Sequence, residues 1–131
     1  KYSYQGTMIN IINPDDIRTL YGERVTTNST VVLLRDFRPN ADKAISIIAH
    51  VLAYDQDAPL TNNHAAYHIK AFAYNNSGTL TLVNTSKEVF ESNASMDCYA
   101  DVSGNFLRLF VKGVDGVSIK WTAKIDVIVM V

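Results

Sequence analysis

From Val117 to Val131 every odd position is apolar: Val117, Ile119, Trp121, Ala123, Ile125, Val127, Val129 and Val131. The even positions are polar through Asp126 and then turn apolar at Ile128 and Met130. A helix needs apolar residues three and four apart, whereas a period of two over this length specifies a strand with one face on a core and one toward water. The loss of alternation at Ile128 and Met130 predicts a strand end buried on both faces. Phe106 to Lys112 alternates as well, and Gly113-Val114-Asp115-Gly116 lies between the two runs. Asp-Gly supplies the positive φ of a tight turn, so 106–127 is expected to be a β-hairpin.

Upstream the same grammar repeats. Val31-Val32-Leu33-Leu34 is a continuous apolar run, which fits a strand covered on both faces. Ala44–Tyr54 alternates with a mixed outer face, as a central strand would. Ala65–Tyr74 follows after a polar loop, and Asn75-Asn76-Ser77-Gly78 is a strong turn signal. Thr79–Val83, Lys87–Phe90 and Met96–Ala100 are further short strands, with Ser103-Gly104-Asn105 turning into the closing pair. Near the start, Met8–Ile12 has the makings of a short strand. Asn13-Pro14-Asp15-Asp16 carries the marks of a helix start, with Asn13 as N-cap and acids in the first turn. Ile17, Leu20 and Tyr21 then fall on one side of two turns, so a short helix or 3₁₀ segment ending at Gly22 is expected. Seven or eight short strands at regular spacing give an all-β chain, an antiparallel, jelly-roll-like β-sandwich.

With 131 residues, the chain fits a single domain over 1–131, in which 1–43 is the segment least defined by pattern. It opens on Lys1 without a signal-peptide pattern, so a fragment of a longer protein or a processed product is expected. The 12 basic and 13 acidic residues are mixed along the chain and form no basic stripe, which argues against a nucleic-acid partner. No apolar run reaches the roughly 20 residues of a membrane span. The single cysteine, Cys98, allows no internal disulfide, and its alternating context (Met96, Cys98, Ala100) marks it as a buried apolar residue.

Site chemistry is sparse. His50, His64 and His68 are the only histidines. A 44–54/65–74 pairing sets His50 and His68 on neighbouring strands, but no close-set acid completes a ligand set, so neither metal nor other cofactor is expected. No phosphate loop, nucleophile elbow, zinc motif or carboxylate pair marks a catalytic centre, and no catalytic residue is assigned. Asp55, Asp57, Asn62 and Asn63 gather oxygen donors in one loop without the spacing of a calcium motif. With Tyr54 and His64 beside them, and with Asn75 and Asn76 in the next turn, they are the candidate ligand-binding residues. Tyrosine is common in sugar sites and at subunit interfaces alike, and there are 7 here. Trp121 sits on the regular core face and is read as core. Asn-x-Ser/Thr triplets at Asn28, Asn75, Asn84 and Asn93 are what chance gives in a chain rich in these residues. Ile48, Leu52, Phe72, Phe106 and Phe110 fall opposite the core faces of their strands. That leaves more apolar surface than a monomer should expose, so these five are the expected oligomer interface unless the N-terminal segment covers them.

The run Ala65-Ala66-Tyr67-His68-Ile69-Lys70-Ala71-Phe72-Ala73-Tyr74, continued through Gly78-Thr79-Leu80-Thr81-Leu82-Val83, resembles a β-domain of tailed-bacteriophage virion appendages, the tail fibres and tailspikes. Lys87-Glu88-Val89-Phe90-Glu91 matches the strand that follows there. The ending from Leu107 through Gly113 and Gly116 to Ile119-Lys120-Trp121-Thr122-Ala123 carries the most specific spacing. The likeness covers roughly 44–131. It implies a β-sandwich in a virion component, assembled as a homo-oligomer and most often a trimer, in contact with other virion proteins and with a bacterial surface glycan. It carries over no catalytic residue. A carbohydrate-binding module or lectin is the second expectation, and a glycan depolymerase a distant third.

Overall fold

The computed structural model describes residues 15–57 and 63–130. Eight strands run through them: β1 Asp15–Thr26, β2 Val31–Phe37, β3 Ala44–Asp55, β4 Ala65–Asn76, β5 Thr79–Glu91, β6 Asp97–Ser103, β7 Phe106–Lys112 and β8 Ile119–Met130. They form a five-stranded sheet of order β1-β8-β3-β4-β5 and a three-stranded sheet of order β2-β7-β6. Every pairing is antiparallel. The chain is therefore an all-β sandwich, and its β1–β8, β3–β8 and β2–β7 pairs nest in the manner of a jelly roll.

The alternation read from the sequence sorts the side chains between the faces. Ile45, Ile47, Val51, Tyr67, Ile69, Trp121 and Ile125 of the large sheet meet Leu107, Leu109, Val111, Met96 and Cys98 from the small sheet and its approach, all buried. Trp121 is wholly enclosed and stacks on Tyr67, with ring centroids 6.2 Å apart. Its indole N–H donates to the Thr26 hydroxyl at 2.9 Å, so the one polar atom of the ring is satisfied inside the core.

Two tight hairpins stand where turn chemistry placed them. Asn76 pairs with Thr79 around Ser77 and Gly78, whose φ values of 53° and 97° are the paired positive angles of a two-residue β-turn. Ser103 pairs with Phe106 around Gly104, at φ 58°, and Asn105.

Five expectations need correction. The 106–127 segment is not a hairpin, because β7 and β8 lie in different sheets and Gly113–Gly116 crosses between them. Gly116 has the positive φ that Asp-Gly announced, at 76°, but the turn carries the chain over the core and not back along its neighbour. Asp115 fastens this crossover by accepting hydrogen bonds from the Ser29 N–H and hydroxyl, at 2.8 and 2.9 Å. The helix expected over 14–21 is strand from Asp15 onward, where β1 pairs along the whole of β8 and the sheet overrides a local helix signal. Asn13, Pro14 and the Met8–Ile12 patch lie outside the described residues. Ile128 and Met130 are exposed on the outer face of the large sheet and are not buried on both sides. The Val31–Leu34 run is an edge strand with a bulge: the register skips Leu34, which turns Leu34 and Phe37 inward and leaves Val31 exposed. Thr79–Val83 and Lys87–Phe90 are one strand, β5, with its extra residue at Val83.

Candidate functional site

Among the described residues, many of the exposed large apolar side chains lie on the outer face of the five-stranded sheet. The register aligns its side chains in rows across the strands. One row runs Ile17–Ile128–Ser46–Phe72–Asn84, and another Glu23–Thr122–Leu52–Ala66–Phe90. Between them lie two polar rows, Thr19–Asp126–Ile48–Lys70–Ser86 and Tyr21–Lys124–His50–His68–Glu88. Large apolar side chains are strongly exposed here: Phe90 at 74%, Ile17 at 68%, Tyr21 at 65% and Leu52 at 54%. Shallow depressions of about 290 and 350 Å³ flank Ile48, one reaching to Phe72 and the other to Ile17 and Ile128.

Of the five expected interface residues, Ile48, Leu52 and Phe72 share this face. Phe106 and Phe110 lie on the outer side of the small sheet, across the core, and cannot join them in one flat contact. Both already have cationic neighbours. The Arg108 guanidinium lies 4.6 Å from the Phe110 ring centre and is held by two hydrogen bonds to Asp101, at 2.9 and 3.0 Å. Arg38 sits 6.0 Å from the Phe106 ring. Sequence reasoning missed Ile17, Tyr21 and Phe90. Once Ile17 and Tyr21 were assigned to a helix, their outward position on a strand was out of view.

The candidate ligand-binding residues divide between the two ends of the β3–β4 hairpin. Tyr54, Asp55, Asp57, Asn63 and His64 are at one end, and Asn75 and Asn76 at the other, with Asn62 outside the described residues. The 12 residues of β4 separate the two groups, roughly 40 Å of strand, so they do not form one subsite. Asp55 is buried and organises its loop, accepting from the Asp57 N–H at 2.9 Å and the Asn63 side-chain amide at 3.0 Å. The Asn63 carbonyl in turn accepts from Asn93 at 2.9 Å. Asn75 is buried too, donating to the Pro39 carbonyl at 3.2 Å and accepting from the Gly78 N–H at 2.8 Å. Tyr54 and Asn76 face water.

His50 and His68 are directly opposed across β3 and β4, with ring centroids 6.3 Å apart. His68 Nδ1 lies 3.6 Å from Glu88 Oε1. His64 instead accepts at its backbone carbonyl from the Ser92 N–H and donates its backbone N–H to the Ser92 hydroxyl, both at 2.9 Å, at the mouth of its loop. Among the described residues no group of three or more His, Cys, Asp or Glu is placed to hold a metal ion, and no helix is long and apolar enough to cross a membrane. Carboxylates are set to structural tasks: Asp97 on Lys87 at 2.7 Å, Asp126 on Thr19 at 2.8 Å, and Glu91 on the Tyr67 hydroxyl. Burial and the Glu91 carboxylate raise the Tyr67 phenol well above its ordinary range, so it stays protonated. Burial pushes the Cys98 thiol up to about 12, which makes it inert as a nucleophile.

No known family profile matches the sequence, and no curated protein matches it. Solved structures do. The tailspike protein gp49 of Acinetobacter baumannii bacteriophage Fri1, described as a capsular polysaccharide depolymerase, superposes with a TM-score of 0.53 at 13% identity over 95% of this chain and 19% of that one. The tailspike protein of Acinetobacter phage vB_ApiP_P1 gives 0.45 at 12% identity, over 100% of this chain and 25% of that one. That of Acinetobacter baumannii phage AM24 gives 0.45 at 8% identity, over 83% and 26%. The chain thus spans about a quarter or less of these proteins. The likeness to gp49 is one of fold.

Proposed function

We propose that this chain is a non-enzymatic structural module of a bacteriophage appendage, a virion component that assembles with copies of itself through the outer face of its five-stranded sheet. The observation that carries the reading is the exposure of Ile17, Ile48, Leu52, Phe72, Phe90 and Ile128 on one face of the sheet. Five strands about 4.8 Å apart and about 12 residues long offer roughly 900 Å². One partner of a standard protein–protein interface contributes about 800 Å², so a second copy of this chain is an occupant of the right size. The fold likeness to a tailspike agrees with this setting, and three chains is the number the family resemblance implies. Other virion proteins and a bacterial surface glycan are the further partners of such a module. Phe106 and Phe110, on the small sheet beside Arg38 and Arg108, would lie outside this contact.

The test is solution mass by light scattering at two concentrations. The wild-type chain is expected at a fixed multiple of the single-chain mass, and Leu52→Asp and Phe72→Asp at the single-chain mass with an unchanged β-sheet circular dichroism spectrum. A wild-type monomer at both concentrations overturns the reading. The second reading is a carbohydrate-binding module, favoured by the exposed Tyr54 ring at the loop end of the sandwich and by the description of gp49 as acting on a capsular polysaccharide. Binding on a glycan array by the wild type and its loss in Tyr54→Ala would place it first.

A further inference from the structure

We infer that Arg24, Arg35 and Lys87 seal the sides of the sandwich against strand addition by a second copy of this chain, each by holding a backbone carbonyl that the added strand would need. Among the described residues β1, β2, β5 and β6 are edge strands, with a strand neighbour on one side only. An open edge offers unpaired N–H and C=O groups to any extended chain. The three cations share one placement. Each stands on an edge strand opposite a core residue: Arg24 opposite Trp121, Arg35 opposite Leu109 and Lys87 opposite Ile69. Side chains at such positions point to the inner side of their sheet. Arg24 on β1 donates to the Leu33 carbonyl of β2 at 2.9 Å, and Arg35 on β2 donates back to the Tyr21 carbonyl of β1 at 2.9 Å. On the other side of the sandwich, Lys87 on β5 donates to the Cys98 carbonyl of β6 at 3.1 Å and to Asp97 at 2.7 Å.

The acceptors are edge carbonyls. Ser103 and Phe106 close a two-residue turn, so β6 exchanges hydrogen bonds with β7 at alternate residues counted back from Ser103, and Cys98 turns its carbonyl to the open side. By the same alternation Phe110 bonds to Tyr99 on β6, so its partner on β2, Leu33, also turns its carbonyl outward. A strand laid along these edges has to displace a charge-assisted hydrogen bond and leave its cation in the new seam. The bulges at Leu34 on β2 and Val83 on β5 break the regular spacing such a strand would also need. The inference concerns the sides of the sandwich and is independent of whether copies meet through the outer face of the large sheet.

The experiment follows the mass of the whole chain by light scattering at two concentrations, with thioflavin T fluorescence and circular dichroism. It is run in the wild type and in a Leu52→Asp parent, whose outer face is closed to a second copy. Arg24→Thr combined with Arg35→Thr opens one side, and Lys87→Thr opens the other, with threonine keeping the strand propensity. Each is expected to grow to at least about twice its parent's mass, the step for one added copy. Thioflavin T fluorescence is expected to rise while the β-sheet spectrum is retained. Thr26→Val, which weakens the core and leaves all three cations in place, is expected to hold its parent's mass. Opened variants that hold their parent's mass overturn the inference. So does equal growth in Thr26→Val, or growth that comes only with loss of the β-sheet spectrum. A monomeric wild type overturns the self-association reading alone, because each comparison here is between a variant and its own parent.

Discussion

At the scale of single residues, the Thr26 hydroxyl ties three distant parts of the chain together. It accepts the Trp121 N–H, and a Cβ built on Gly113 would come within 2.3 Å of it. Thr26→Val keeps the shape and leaves the indole N–H unpaired in the core, so urea titration is expected to show a loss of about 1–3 kcal/mol. Gly113→Ala pushes on the same hydroxyl from the other side and is expected to destabilise by a similar amount. Cys98 gives a second prediction. The thiol titrates near 8.5 in an unfolded chain and is held up at about 12 in the fold by burial. Its contribution to stability is fully present below the unfolded value and is lost as pH rises toward the folded one. A Cys98→Ala comparison should show the wild type losing stability more steeply between roughly pH 9 and 11. A thiol reagent is expected to leave the native protein unlabelled at neutral pH and to label it in denaturant. Asp115 runs in the opposite sense. The Ser29 hydrogen bonds, backbone first, hold its carboxyl below the usual range, so what it lends the crossover is lost only as pH falls through that lowered value. That Trp121 and Cys98 are core residues could be read from alternation alone, because a period of two fixes the side of a sheet without reference to any partner.

At the scale of elements, the two tight turns were legible and the long crossings were not. Ser77-Gly78 specifies its own geometry through the positive φ that glycine accepts. Nothing lies within 4 Å of a Cβ built on Gly78, so the cost of Gly78→Ala is backbone strain alone, expected at about 1–3 kcal/mol in thermal or urea unfolding. Ser77→Asn, which tolerates the left-handed region, is expected to hold or slightly raise the midpoint. The Asp115-Gly116 signal has the same chemistry and a different outcome. A turn motif states the local φ, whereas the partner of β8 is decided by which strand edges remain open. β8 takes β1 on one side and β3 on the other, which leaves no edge for β7. The strand at Ile17–Tyr21 was illegible for a related reason. Its helix-like spacing is overridden by 12 residues of pairing with β8, a contact more than a hundred positions away. Bulges at Leu34 and Val83 shift the face in mid-strand, and simple alternation cannot anticipate that.

For the whole molecule, the sandwich divides its unpartnered surface between two faces of different character. The large sheet presents exposed aliphatic and aromatic side chains in rows that two polar rows separate. The small sheet presents aromatics already capped by Arg38 and Arg108. Phe110→Ala is accordingly expected to leave solution mass unchanged while Leu52→Asp lowers it, and an equal effect of the two would place the contact on both faces. Sequence reasoning found three members of the large face, since Ile48, Leu52 and Phe72 stand out in clean alternations. It could not tell that Phe106 and Phe110 belong to the other side, because a sandwich turns both of its outer faces to water with the same pattern. The pairing of β1 with β8 has a mechanical consequence. Asp15 and Met130 are register partners, so both points lie at the same end of one antiparallel pair. A pull applied through them peels β1 from β8 one rung at a time, as a zipper opens, and never loads its rungs in parallel as a shear would. The unit is therefore weak in tension along that line, and a load-bearing shaft built from it would draw its strength from contacts between chains.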